Sequence, residues 1–455
     1  MGKRLFDALI LLGAMLYILL GVSITPVHGD EYTQIFMAHD SYYMAQGNWD
    51  KLPYTALGPM NDLLYLRLIN GTVNKTLIGF VWLLEGRPAY DLPGLYDWMK
   101  PVSINRAFGN VPTIDDIVLS RWPSAAFTAL AVIPLFLLMR QLPSSRPIAY
   151  VAVVLYALHP VILVNGRRAV MEGSLIFGSL ATICWLVIMT RAAQQARSQG
   201  FLKHIPVWLR YVVLGLLAGF TVATKFSGIF VAAAVIVAII ADGLRHNDAR
   251  RLMLFLGITV ASMAVMWLVL NPAYWNDPVG AVGVMLRERD YLLANQTHSS
   301  PLRYSTLWQR LDAALVQPYV APPQFSELSS WTYMIADQVE AYQASPLAGW
   351  NPGVVGNVLL TLLAVFGLGG LAYQALDMQP VAWAMLAWTG LTLLETLTIP
   401  LGWQRYYLPL MLVSIVLTAV GTERLWLAIR TWQTSRVAIK REEPQIQETF
   451  DSPAA

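Results

Sequence analysis

Apolar residues run along this chain in long blocks separated by polar joints. About 20 mostly apolar residues carry a helix across a bilayer. Ten blocks reach or approach that length, at roughly 5–25, 118–140, 147–164, 173–190, 208–223, 227–242, 252–270, 353–375, 380–397 and 406–422. Two joints are long, about 26–117 and 271–352, and loops of that size usually carry function. In the first, "TLIGFVWLLEG" is apolar but too short to span, which predicts a helix lying along the membrane surface. In the second, "NDPVGAVGVMLRERDYLLANQ" places Val279, Val282, Met285, Leu286 and Leu293 on one helical face. Both loops are rich in Trp and Tyr, which favour the headgroup level. The pattern predicts an all-α integral membrane protein of about 10 transmembrane helices over residues 1–422, with amphipathic helices in two outer-face loops. A basic tail, 423–455, follows and is expected to be disordered beyond Lys440.

Charge assigns the sides. Short basic joints mark the cytoplasmic face. They hold Lys3 and Arg4, Arg140 and Arg146, Arg191 to Arg210, Arg245 to Arg251, and the tail from Arg424 to Arg441. The joint near Asp377 has no Lys or Arg and does not vote. Both termini are then inside, and both long loops outside. The first block resembles a signal peptide in its basic start. Its length and the lack of a small-x-small cleavage site favour a retained first helix. Sequons at Asn70, Asn74 and Asn295 fall on the outer face.

Composition agrees: 56% of residues are hydrophobic and 13% charged, against about 25% charged in an ordinary soluble domain. A net charge of +3 does not suit a nucleic-acid partner. The one cysteine, Cys184, excludes an internal disulfide or a Cys-based metal site. Nucleotide-binding and zinc-protease motifs are absent.

Ionisable groups near the ends of spanning helices are costly and tend to mark function. Asp30 and Glu31 stand just past the first span. One reading is a solvated helix start. The other is a general base, partly desolvated at the membrane boundary. Lys225, in "VATKFSGIF", and Arg405, in "IPLGWQRYYLPL", lie in tight outer joints, against the positive-inside bias. Snorkelling accounts for such a lysine; a bound phosphate accounts for both. Arg167, Arg168 and Glu172 share a third outer joint and also fit an internal ion pair. Arg121, ahead of a proline, reads as structural. His28 and His39 flank the acidic pair, with too few further ligands for a metal. His159 and His298 read as plain polar residues. Glu395 fits either a pair with Arg405 or a cavity wall. Together these charges suit a substrate with a lipid tail, a phosphate and a polar head.

Six segments, in order, resemble the GT-C glycosyltransferases that use lipid-phosphate sugars, nearest the protein O-mannosyltransferase and lipid A aminoarabinose transferase group. They are "HGDEY", "RWPSAAFTALAVIPLFLLMR", "HPVILVNGRRAVMEGSLIFGSL", "GLLAGFTVATKFSGIF", "NPAYWNDPVGAVGVML" and "QRYYLPL", covering the chain from about residue 5 to 422. Each is loose; the order makes the match. Glu172 stands where Asp is more usual in that group. The resemblance implies an inverting transfer from a polyprenyl-phosphate sugar to an acceptor hydroxyl on a protein, glycolipid or polysaccharide, at the outer face of a prokaryotic plasma membrane. Asp30 corresponds to its catalytic base, with Glu31 beside it. Lys225, Arg405 and Arg167 are then the donor phosphate ligands, supported by Glu172, Arg168, Tyr406 and His28. No cofactor is required; a divalent cation is compatible but not expected. Two rival readings remain at this stage. A flippase would carry charges along an intramembrane path and often inverted repeats. An O-antigen ligase-like enzyme would not need the early acidic pair.

Overall fold

The computed structural model describes residues 2–55, 60–142, 145–194, 204–376 and 379–442. Helices dominate, and the one strand-like pairing among the described residues is a single antiparallel bridge, Arg303 to Leu401. α1 (Gly2–Leu20) is followed by the first long loop. That loop folds into α2 (Gly29–Met37), α3 (His39–Ala45), α4 (Asp62–Ile69), α5 (Val73–Leu84) and α6 (Val102–Ala107). The bundle continues through α7 (Ile114–Leu130), α8 (Val132–Gln141), α9 (Arg146–Ala157), α10 (Pro160–Gly166), α11 (Glu172–Gln194), α12 (Val207–Thr224), α13 (Gly228–Arg245) and α14 (Ala249–Leu270). The second long loop holds α15 (Pro278–Ser299), α16 (Leu307–Val316), α17 (Ser329–Met334) and α18 (Ala336–Ala344). α19 (Gly353–Leu376), α20 (Pro380–Thr398) and α21 (Leu408–Glu442) close the bundle.

Among the described residues, eight helices are long and apolar enough to cross a membrane, with α7 and α8 forming one span over Ile114–Gln141. A ninth is possible only as the bent pair α9 and α10, which meet at 58° where the chain reads Leu158-His159-Pro160. Proline at 160 cannot donate to the preceding turn, and it pushes His159 out of the helical region. With α1, whose first turns carry Lys3, Arg4 and Asp7, these helices overlie the ten predicted blocks. α1 is helical as predicted, but Lys3, Arg4 and Asp7 charge its first two turns. Its Leu5, Leu9, Leu12 and Leu16 are exposed along one side. α21 runs on past the last predicted span, through the start of the basic tail, to Glu442. The tail beyond it, the joint at Asp377 and the middle of the joint between Arg191 and Arg210 lie outside the described residues.

Close helix contacts in the bundle rest on small residues, as expected where lipid offers no hydrophobic drive. On α19 and α21, Gly367 and Gly421 face the partner backbone. A methyl at either would lie 2.0 Å from a carbonyl oxygen, Leu417 O or Leu363 O respectively.

The two long loops form one layer above the bundle. Tyr32, Ile35, Tyr42, Ile78, Trp82, Tyr96 and Ile117 from the first pack with Phe325, Trp331, Ile335 and Tyr342 from the second. This changes two expectations. The segment "TLIGFVWLLEG" lies in α5, but Ile78 and Trp82 are buried in protein, so only Phe80 and Leu84 remain for a surface. On α15 the expected common face divides: Met285 is buried, whereas Val279, Leu286 and Leu293 are exposed. Of the three sequons, Asn74 is fully enclosed.

Candidate active site

The first elements of the site are set by a helix cap. His28 caps α2: its Nδ1 accepts from Asp30 N (3.1 Å), and its own N–H donates to Glu31 Oε2 (2.9 Å). The cap fixes the first turn, and the two adjacent carboxylates leave it in different directions. Glu31 points into protein and is fully buried. Its Oε1 accepts from Arg121 Nε (2.7 Å) and Ala169 N (2.8 Å). Its Oε2 accepts from Arg121 Nη2 (2.9 Å) as well as His28. Arg121 also donates to the carbonyls of Val22 and Thr25, where the chain leaves α1. Glu31 has no oxygen left over for an acceptor or a sugar; it ties α2 to α7 and to the joint before α11. Burial works to raise its pKa, but the Arg121 charge prevails and holds it below the ordinary carboxylate value.

Asp30 points the other way. Its side chain is 39% exposed, and it pairs with Arg405 Nη1. Arg405 sits on a 3₁₀ turn, Gln404–Tyr407, that links α20 to α21. Its Nε lies 3.0 Å from Glu327 Oε1, and Glu327 Oε2 in turn meets His28 Nε2 at 2.8 Å. With His28 Nδ1 accepting from Asp30, the ring is assigned its proton on Nε2. For Asp30, burial raises the pKa, but the Arg405 guanidinium outweighs it, so the group lies below its ordinary value. Glu327 is also held below its ordinary value, by the Arg405 charge against the effect of burial.

Lys225 follows the last turn of α12 and makes a 2.9 Å ion pair with Glu172 Oε1, at the start of α11. A cation past a helix C-terminus and an anion at an N-terminus both suit the helix dipoles. The other oxygen, Glu172 Oε2, is buried without a hydrogen-bond partner among the described residues. Tyr406 joins the two halves of the site. Lys225 Nζ lies 5.1 Å and Arg405 Cζ 5.6 Å from the centre of its ring.

The structure thus brings together Asp30, His28, Arg405, Tyr406, Lys225 and Glu172. It places Arg167 elsewhere. That guanidinium is buried and donates to Ile18 O (2.7 Å), Tyr17 O (2.8 Å), Leu347 O (2.6 Å) and Tyr342 Oη (3.1 Å). The last carbonyls of α1 lack helical partners, and Arg167 supplies them. It is occupied as a helix staple, so the expected phosphate role is not available to it. Arg168 supports the loops, donating to Pro26 O (3.0 Å) and Phe325 O (2.8 Å). Glu395 is buried, and of the two readings left open for it the pair with Arg405 is not formed among the described residues.

Two residues at the site gave no distinct sequence signal. Glu327, in "FSELSS", is one acid among several in a long loop. Arg289, on α15, lies 5.0 Å over the Phe226 ring, beside Lys225, and donates to Ile69 O (2.9 Å). Among the described residues it has no carboxylate partner within ion-pair distance. A third feature did have a signal, a lone lysine in an apolar run. Lys75 is buried with Asp40 and Arg67; Nζ meets Asp40 Oδ2 at 2.7 Å, and Arg67 Nε meets Oδ1 at 2.7 Å. This triad fastens α3, α4 and α5 together.

The Arg121–Glu31 pair yields a stability prediction. Removing one member of a buried pair strands the other charge and costs about 3–5 kcal/mol. Arg121→Ala is expected to lower the unfolding temperature in detergent markedly, whereas Arg87→Ala, which breaks a half-exposed pair with Asp116, should change it little. Equal melting of the two variants would contradict this.

Comparison with known proteins places the arrangement in context. The sequence model for "Dolichyl-phosphate-mannose-protein mannosyltransferase" matches residues 72–277. A search of curated protein sequences finds no significant match. Among solved structures, the Archaeoglobus fulgidus oligosaccharyltransferase AglB is similar at TM-score 0.52 and 13% identity, over 98% of this chain and 53% of that one. The apo form of the A. fulgidus enzyme gives TM-score 0.53 and 15% identity, over 96% and 52%. The S. cerevisiae protein O-mannosyltransferase Pmt1-Pmt2 complex is a looser likeness, with TM-score 0.42 and 15% identity over 62% and 34%. The chain spans about half the length of the archaeal structures it matches. The likeness to the mannosyltransferase model thus covers residues 72–277, and the likeness to the archaeal oligosaccharyltransferase structures extends to the helical fold of nearly the whole chain.

Proposed function

We propose that this chain is an inverting glycosyltransferase. It moves a sugar, mannose by the likeness to the mannosyltransferase model, from a polyprenyl phosphate to a hydroxyl of a polypeptide, at the extracytoplasmic face of a prokaryotic plasma membrane. One observation carries the reading: a solvent-reachable carboxylate, Asp30, faces Arg405, and Lys225 lies across the same tyrosine ring. The face is argued from charge, since Arg140, Arg146, Arg245 and Arg251 lie at helix ends remote from Asp30.

A glycosyl transition state is oxocarbenium-like, with negative charge growing on the departing oxygen. Here that oxygen belongs to a lipid phosphate, a leaving group that needs no general acid. Lys225, Arg405 and Arg289 receive the charge, and contacts that tighten in the transition state raise the rate. Asp30 takes the acceptor proton as the new bond forms, and a single displacement inverts the sugar carbon. These cations do the work without a metal ion or another cofactor in the scheme. In the resting site Arg405 holds Asp30 and weakens it as a base. A donor phosphate competes for the same guanidinium, so Asp30 gains basicity as the donor seats. Donor first and acceptor second is the resulting order.

The test is transfer in membranes containing the chain, using a panel of polyprenyl-phosphate sugars with hydroxyl peptides, glycolipid and polysaccharide as acceptors. A mannosylated peptide that depends on the chain is expected. A product formed only on lipid or polysaccharide, or with no donor in the panel, refutes the reading.

A further inference from the structure

Trp98 stands against the backbone that carries Asp30. A methyl on Gly29, the residue before it, would lie 2.0 Å from Trp98 Cη2, so only glycine lets the indole approach this closely. Three buried rings hold the indole: Tyr96 at 5.0 Å and Trp331 at 5.6 Å touch it, and Tyr32 packs on both. The loop that bears it is organised around buried Asn105. That side chain accepts from Asp97 N (2.8 Å) and donates to Asp97 O (2.9 Å). Despite this support Trp98 is 46% exposed, with Met99 at 93% and Phe108 at 71%. Among the described residues, the outward faces of these three side chains are left open to the surroundings.

An exposed aromatic that is already immobilised binds at low entropic cost. Methionine beside it adapts to different apolar shapes. We propose that Trp98, with Met99 and Phe108, forms an acceptor subsite that grips an apolar side chain flanking the hydroxyl residue of an extended polypeptide. The inference rests on the transferase reading above and extends it to acceptor choice. Polypeptide is favoured over a lipid surface for two reasons. The indole abuts the backbone of the proposed base. The same loop also presents Asp97, Lys100 and Arg106, with Lys100 Nζ 5.8 Å over the Phe108 ring, and such mixed charges suit a peptide more than a uniform apolar anchor.

The test compares Ser or Thr peptides flanked by Phe or Leu with peptides flanked by Gly, using polyprenyl-phosphate mannose as donor. Wild-type protein is expected to favour the apolar-flanked set. Trp98→Ala should raise the acceptor KM for that set about tenfold, leave the Gly-flanked set and the donor KM near wild type, and so erase the preference. Trp98→Tyr should restore much of it. Phe108→Ser, at a surface position, should move the same ratio in the same direction. An unchanged ratio in Trp98→Ala and Phe108→Ser overturns the subsite. So does Trp98 fluorescence, taken as the difference between wild type and Trp98→Ala in reconstituted vesicles, that is quenched by bilayer-embedded probes while acceptor KM is unaltered in the variants, which would mark a membrane anchor. Wild-type protein that mannosylates no peptide defeats the parent reading and the subsite with it, a result distinct from an unaltered ratio.

Discussion

Asp30→Asn is expected to reduce sugar transfer by about 10²–10⁴-fold, the range lost with a general base, while donor binding persists. The amide keeps the size of the side chain and cannot accept the acceptor proton. It also removes the counter-charge that occupies Arg405, so the guanidinium is freer to meet phosphate. Donor affinity should stay level or tighten. The pH profile gives an independent reading. Arg405 holds Asp30 below its ordinary value against the effect of burial, so the carboxylate is ionised at neutral pH. Activity falls only as pH drops through that depressed pKa. When the donor claims Arg405 and brings its own negative charge, the pKa of Asp30 rises. The acid limb of kcat, which reports the bound enzyme, should therefore lie at higher pH than that of kcat/KM for the donor. Wild-type turnover in the asparagine variant removes Asp30 as the base; coincident acid limbs remove the release step.

Arg405→Ala is expected to lower kcat/KM for the donor by about 10²–10³-fold, comparable to the loss of one preorganised group that stabilises transition-state charge. The change also strips the shared cation from Asp30 and Glu327. Both carboxylates then rise toward or above ordinary values, and the acid limb of kcat/KM should move up with them. Arg405→Lys should recover part of the loss, because a point charge replaces a planar fork that reaches two carboxylates at once. Lys225→Ala should act on donor binding with little movement of the acid limb, since its carboxylate partner is Glu172. Unaltered donor kinetics in Arg405→Ala would end the phosphate-clamp assignment.

Much of the fold was legible in the sequence because bilayer length and hydropathy constrain a membrane chain strongly. Eight predicted blocks, from 118–140 through 406–422, overlie long apolar helices, the exception being 147–164, which is broken. The break at Pro160 was written in the sequence but not read. Periodicity gave α15 correctly and its buried face incorrectly, because neighbours from α4 and the turn after α14 decide which side is covered. Within the site, Asp30 attracts notice as half of an acidic pair just past an apolar run, and Lys225 and Arg405 because each is a lone cation in a tight joint between apolar runs. Glu327 does not, since its significance comes only from meeting Arg405 and His28 in space. Arg167 shows the reverse: a cation in the right joint whose donors are consumed by the unpaired carbonyls of α1. Sequence pattern locates charges along the chain, and packing decides which remain free.

The contact between Asp30 and Arg405 joins residues 375 positions apart, and this bears on biogenesis. A nascent polypeptide inserted from its N-terminus carries the aspartate long before the arginine has been synthesised. Incomplete chains therefore lack the assembled centre, and competence arrives only with the closing helices. A protein cut between those two positions should regain turnover when its halves are co-expressed and meet in the same membrane.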